Sequence, residues 1–115
     1  MSDDRLPGVD EARARATWTA LGGVFDPELG LDLVSLGLVY AVDVRGDAVE
    51  VTMTLTTPGC PAAESMPEMA RYAIAETVGA DVDVRVHLVW SPPWELSMMS
   101  DAAARRLGVR RPLDA

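Results

Sequence analysis

One short segment, residues 56–61 with the sequence TTPGCP, separates two stretches of different hydrophobic period. After it, apolar residues recur at helical spacing as far as Gly79, a residue suited to the left-handed position that closes a helix. Before it, apolar and polar residues alternate, as in a strand with one buried face; the apolar positions are Val49, Val51, Met53 and Leu55. The sequence therefore predicts a strand, a turn containing two prolines, and a helix in succession.

Cys60 is the only cysteine in the chain, and it lies in this turn. Unpaired N–H groups and the dipole at a helix N-terminus favour a thiolate, and we predict that Cys60 lies within a residue or two of the helix start. Pro67 would interrupt such a helix, so an alternative start is Ser65, which would form a capping box with Glu68. Cys60 would then lie in a loop with a weaker dipole contribution. A lone cysteine is commonly a small buried hydrophobe, but the Pro-Gly-Cys-Pro setting favours a functional thiol.

The other elements follow from similar patterns. We predict a first helix capped by Asp10 and ended by Gly22-Gly23, and a last helix capped by Ser97 or Ser100. Alternating residues over 38–44 and 49–56 predict a hairpin, and those over 82–90 predict a third strand. The third strand follows the second through a helix, which favours a parallel pairing and hence a mixed sheet. Ligand sites in such arrangements lie beyond the carboxyl ends of the strands, where TTPGCP is found.

Length and composition restrict the class of protein. With 115 residues and 49% hydrophobic content, the chain is expected to form one domain. We predict a disordered N-terminus over 1–9, the domain over 10–108 and a flexible tail over 109–115. The net charge is −8 and all ten basic residues are arginine, which argues against a nucleic-acid surface. A single cysteine excludes an intrachain disulfide and favours a reducing cytoplasm, and no segment approaches the length of a membrane span.

Other polar residues have a functional and a simpler interpretation. Asp26 and Glu28 could be metal ligands or acid/base groups, although carboxylates in such a turn more often bond nearby backbone. His87 could act as a base for Cys60 but falls on the polar face of a strand, as surface histidines do. Met98 and Met99 could line a thiolate site but are more often packing residues.

Four motifs together resemble the metal-sulfur cluster assembly factor family, the SufT/PaaD-like domain related to cytosolic iron-sulfur targeting factors. They are FDPELG, LVSLGLVY, VTMTLTTPGCP and LVWSPPWELSMMSDAAARRLG, and the resemblance covers residues 11–108. It implies an α+β two-layer sandwich, with helices on one face of a small three-stranded sheet. The family's functional positions map onto Cys60, Asp26, Glu28, Thr56, Thr57, Trp94 and Ser100. Ser35 occupies a position that is usually acidic, and the additional C-terminal cysteines of the phenylacetate-pathway branch are absent, which favours the SufT-like branch.

The resemblance implies a factor in the maturation of iron-sulfur proteins. Cys60 would hold iron, a cluster edge or a sulfur species transiently, because one thiolate is only one of the roughly four that a cluster needs. The expected partners are iron-sulfur carriers or apo-client proteins, and a homodimer could supply a second thiol. Two alternatives stay open: a cysteine-dependent enzyme with Asp26 or His87 as its helper, and a metal-free adaptor.

Overall fold

Three α-helices and three strands make up the fold. A computed structural model describes residues 8–27, 29–56 and 65–108. In chain order the elements are α1 (Val9–Leu21), β1 (Val39–Arg45), β2 (Ala48–Met53), α2 (Met66–Val78), β3 (Asp83–Leu88), a 3-10 helix (Leu96–Met98) and α3 (Asp101–Leu107). This order is the predicted one of helix, hairpin, helix, strand and helix.

The sheet has the order β1-β2-β3 and is mixed, as predicted. β1 pairs antiparallel with β2, and β2 pairs parallel with β3, so that Val51 faces Val42 on one side and Val86 on the other. The register shifts between Val39 and Ala41, which leaves Tyr40 as an extra residue in β1. Such a bulge changes the direction of the strand and re-aims the side chain at that position.

The two faces of the sheet differ in chemistry. In β2, Val49, Val51 and Met53 are fully buried, whereas Glu50 between them is exposed. Helices α1 and α2 pack against each other and against the edge strands on the apolar side. The opposite face presents charged side chains from all three strands. The α+β fold with helices on one face of a small sheet is therefore confirmed.

The first helix begins differently from the prediction. It starts at Val9, with Gly8 in a left-handed conformation at the N-cap position and no side-chain cap. Asp10 lies inside the first turn, where a negative charge interacts favourably with the helix dipole. The prediction of Asp10 as the cap is therefore wrong, because the chain turns into the helix at a glycine two residues earlier.

Helix α2 begins at Met66, with Ser65 as its N-cap residue and Pro67 in the first turn. Proline is tolerated there because the first N–H groups of a helix have no intrahelical acceptor. The alternative start at Ser65 is thus confirmed, but no capping box forms. Ser65 makes no side-chain cap hydrogen bond, and Glu68 binds Arg71 instead, with Nη2 to Oε2 at 2.7 Å.

Helix α2 starts six residues after Cys60 in the sequence. Cys60 itself lies outside the described residues, so its position within a residue or two of a helix start stays a prediction. No helix among the described residues has the length and apolar character needed to cross a membrane.

Candidate functional site

The carboxyl ends of β2 and β3 lie at the same edge of the sheet because the two strands are parallel. Backbone hydrogen bonds continue past both strands, from Val89 N to Met53 O and from Thr54 N to Leu38 O, each 2.8 Å long. Thr54 is buried and Thr56 is half-buried as the chain leaves this edge. The chain therefore leaves the sheet toward Cys60 at the edge that was predicted. Cys60, Thr57 and Glu28 themselves lie outside the described residues.

The loop around Asp26 is held by backbone hydrogen bonds. Asp26 is only 2% exposed, and its Oδ1 accepts a hydrogen bond from the Leu29 N–H at 3.1 Å. Its backbone N–H donates to Leu31 O at 2.9 Å, and its carbonyl accepts from Gly30 N at 2.8 Å. One oxygen of the carboxylate therefore bonds the backbone of its own turn, and a role of Asp26 toward a ligand stays a prediction.

This loop adjoins the start of α2. Phe25, the residue before Asp26, lines a groove together with Ser65 and Met69. Ser65 is the first described residue after the segment that carries Cys60. The loop containing Asp26 therefore lies beside the N-terminal end of α2, the helix that follows the TTPGCP segment in the sequence.

The turn over residues 32–37 binds the chain that follows β3. Asp32 Oδ2 accepts hydrogen bonds from Val34 N at 3.1 Å and Ser35 N at 3.0 Å, so this stretch is a compact turn. Trp94 Nε1 donates to Leu36 O at 2.7 Å, and Ser100 N donates to Ser35 O at 2.8 Å. Residues 32–37 therefore turn back on themselves rather than continuing as an extended chain.

Trp94 and Ser100 thus contact one turn, although 58 and 65 residues separate them from their acceptors. Trp94 is partly buried against the core. Ser100 also caps α3, where its Oγ accepts a hydrogen bond from Ala103 N at 3.1 Å. Both residues hold the C-terminal segment in place through these contacts. At Ser35 the carbonyl oxygen makes the contact, and this interaction does not depend on the identity of the side chain.

Tyr40 is a residue that sequence reasoning missed. Its hydroxyl donates to Pro92 O at 2.7 Å and lies 3.8 Å from Met98 Sδ. Burial raises the pKa of Tyr40, hydrogen bonding with Thr54 opposes the rise, and the nearby Glu95 charge adds to it. A half-buried tyrosine usually requires a hydrogen-bond partner, and this requirement was the signal in the sequence for a contact of Tyr40. The sequence carries no signal for the bulge that directs the ring toward Pro92.

Two other candidate groups have packing or surface roles. His87 Nε2 lies 3.2 Å from Glu50 Oε1 on the open face of the sheet, and both side chains are 52% exposed. Met99 is 3% exposed and belongs to the core. Among residues 8–27, 29–56 and 65–108, no group of three or more His, Cys, Asp or Glu side chains could hold a metal ion.

Comparison with known proteins identifies the family of the chain. The sequence model described as "Iron-sulfur cluster assembly protein" matches residues 15–88. The chain belongs to this iron-sulfur cluster assembly family. The predicted resemblance is therefore confirmed over most of the domain.

Two relatives from the family's maturation factors match over nearly their whole length. The chain is 43% identical to the Fe-S protein maturation auxiliary factor YitW of Bacillus subtilis, over 89% of this chain and 100% of that protein. It is 47% identical to the auxiliary factor SufT of Staphylococcus aureus, over 75% of this chain and 98% of that protein.

Solved structures of the family share the fold. A domain of unknown function from Bacillus anthracis superposes with a TM-score of 0.81 at 38% identity, covering 88% of this chain and 96% of that chain. The Thermotoga maritima protein TM0487 gives a TM-score of 0.71 at 38% identity, covering 95% of this chain and 100% of that chain.

Proposed function

We propose that this protein is an auxiliary factor for the maturation of iron-sulfur proteins and that Cys60 is its functional thiol. The observation that carries the proposal is the match to the maturation factor YitW, which extends over 100% of that protein. The region shared with YitW therefore corresponds to the whole length of that maturation factor.

Iron, a cluster edge or a sulfur species would be the cargo of Cys60. An iron-sulfur cluster takes about four thiolate ligands, and this chain has one cysteine. The described residues contribute no cluster of three metal-binding side chains. Cargo would therefore be held briefly, with further ligands from a carrier, an apo-client protein or a second copy of the chain, and we place this exchange in the cytoplasm, where thiols stay reduced.

The geometry around the segment favours a carrier over an enzyme. A thiol enzyme needs a base within hydrogen-bond reach of its sulfur, and His87 is instead paired with Glu50 on the open face of the sheet. Asp26 Oδ1 is bonded to the backbone of its own loop. We infer that His87 does not activate Cys60 and that the carboxylate of Asp26 tunes the site by shaping the loop.

Anaerobic reconstitution tests the proposal. Wild type and Cys60→Ser are incubated with ferrous iron, sulfide and glutathione, which supplies further thiol ligands, and bound iron is measured by equilibrium dialysis so that briefly held cargo is counted, together with visible absorption and thermal unfolding of each. We expect wild type to retain iron, and Cys60→Ser to retain none at an unchanged unfolding temperature. Equal iron retention by both proteins would remove Cys60 from the mechanism and favour an adaptor, whereas thioester or amide hydrolysis that depends on Cys60 would favour an enzyme.

A further inference from the structure

An apolar groove runs beside α2, outside the site described above. It has a volume of about 820 Å³ and lies between residues 23–25 and the N-terminal part of α2. Its three large apolar side chains are highly exposed: Phe25 by 51%, Met69 by 47% and Tyr72 by 64%. Contiguous exposed apolar surface of this kind marks interaction sites more often than single exposed residues do.

Helix α2 exposes two large apolar side chains on the side away from the core. Its inner stripe, Met66, Ala70 and Ile74, is fully buried. On the outside, Met69 and Tyr72 are three residues apart and therefore lie on the same face of the helix. Their neighbours on this face, Ser65 and Glu76, are polar, so the exposed apolar surface of α2 in the groove consists mainly of these two side chains.

The dimensions fit a short segment of a partner. A second hollow of about 370 Å³, lined in part by Tyr72 and Glu76, continues the groove toward the end of α2. A 13-residue helix is about 20 Å long, the length of three to four turns of an occupant. Among the described residues, eight line the larger hollow, whereas a stable interface between two globular proteins uses about 20–30 residues a side. The described part of the groove is therefore smaller than a stable interface between two copies of the chain.

The charges at the groove favour a basic occupant. Glu68 lies in the larger hollow and Glu76 in the second one. Glu68 forms an ion pair with Arg71, whereas Glu76 forms no ion pair within the part of the chain that the structure describes. The chain carries a net charge of −8, so a second copy would be repelled and a cationic segment attracted.

We propose that this groove binds a short amphipathic segment of a partner protein. Apolar side chains of the segment pack against Phe25, Met69 and Tyr72, and its arginine or lysine side chains reach Glu68 and Glu76. The groove begins at Ser65, the first described residue after the segment that carries Cys60, so the docked partner contacts the start of α2. Only the partner's role as carrier or client rests on the function proposed above.

Two synthetic peptides test this proposal. Each is fluorescein-labelled, 18 residues long, with leucine at heptad contact positions; one has arginine and the other glutamate at the flanking positions. Binding is measured by fluorescence anisotropy at about 0.15 M salt, which limits long-range electrostatic attraction. We expect the arginine peptide to bind wild type. Tyr72→Ser and Met69→Ser should each weaken the affinity for this peptide by about 10-fold or more. Leu96→Ser changes another large apolar side chain, 42% exposed and not among the residues that line the groove, so it is the matched control and should bind as wild type does.

Several results would overturn the proposal. They are no binding of the arginine peptide, equal binding of the glutamate peptide, and equal binding by Tyr72→Ser. Concentration-dependent dimerisation in sedimentation that Tyr72→Ser abolishes would identify a second copy as the occupant. Cys60→Ser should bind the peptide like wild type, so failure of the groove and failure of the thiol are measured separately.

Discussion

Gly37 is the residue at which the turn over residues 32–37 meets the C-terminal segment most closely. Its φ is +76°, in the left-handed region, and a Cβ added there would lie 2.7 Å from the carbonyl carbon of Met98 and 2.9 Å from the Met98 Cβ. These distances are far inside van der Waals contact, and the backbone of Met98 cannot move aside as a flexible side chain could. Gly37→Ala should therefore push the two segments apart.

The magnitude has two parts. A left-handed conformation costs a residue with a Cβ about 1–2 kcal/mol, and overpacking in a closely packed region typically costs about 1–3 kcal/mol. Gly30 is the matched control, because its φ is +70° but nothing lies within 4 Å of an added Cβ. We expect Gly37→Ala to lower the free energy of unfolding by about 3 kcal/mol and Gly30→Ala by only the conformational part, about 1 kcal/mol.

Thermal unfolding measured by circular dichroism separates the two parts. At about 4 °C per kcal/mol for a domain of this size, the midpoint should fall by about 12 °C for Gly37→Ala and by about 4 °C for Gly30→Ala. Tryptophan fluorescence should also change in Gly37→Ala alone, since Trp94 Nε1 donates to the adjacent Leu36 O. Equal destabilisation by the two substitutions would refute the close packing of Gly37 on Met98.

Three further outcomes follow from the hydrogen bonds. Ser100→Ala removes the cap on Ala103 N and should lower the free energy of unfolding, measured with urea, by about 1 kcal/mol. Ser100→Asn should restore most of this stability. An alanine variant as stable as wild type would show that the cap is not formed. The pKa of Tyr40 is raised by burial, so its contribution to stability is complete below the unfolded value of about 10 and is lost as pH rises through the folded pKa. Wild type should therefore lose unfolding free energy above about pH 10 more steeply than Tyr40→Phe, and parallel pH profiles would contradict the burial. Asp26→Asn keeps an acceptor for Leu29 N, so it should fold and lower iron uptake without abolishing it; complete loss would make the carboxylate a direct ligand.

Periodicity was sufficient for the elements that have one buried face. The alternation in β2 and β3 and the helical spacing after Ser65 predicted both strands, α2 and the mixed sheet. The starts of helices were harder to predict, because several residues near each start can cap. Asp10 and Glu68 both have side chains of the right type, but a left-handed Gly8 and the ion pair with Arg71 determine the actual geometry.

The contacts around the site depend on packing between distant parts of the chain. Trp94 and Ser100 were predicted as family positions, but no local pattern indicates that they bind the carbonyls of Leu36 and Ser35. The bulge that turns Tyr40 toward Pro92 likewise has no signature in the sequence. The roles of Cys60, Glu28 and Thr57 stay predictions, since those residues lie outside the described ranges.

The requirement for Cys60 in cells tests the central claim most directly. Cells without their own copy of the protein receive wild type, Cys60→Ser or the surface control Glu50→Gln, at matched protein levels. One iron-sulfur enzyme and one metal-free enzyme are then assayed in each extract. We predict that wild type and Glu50→Gln restore the ratio of iron-sulfur enzyme activity to metal-free enzyme activity. With Cys60→Ser, this ratio should stay at the level of cells that lack the protein. A full ratio with Cys60→Ser would contradict the account.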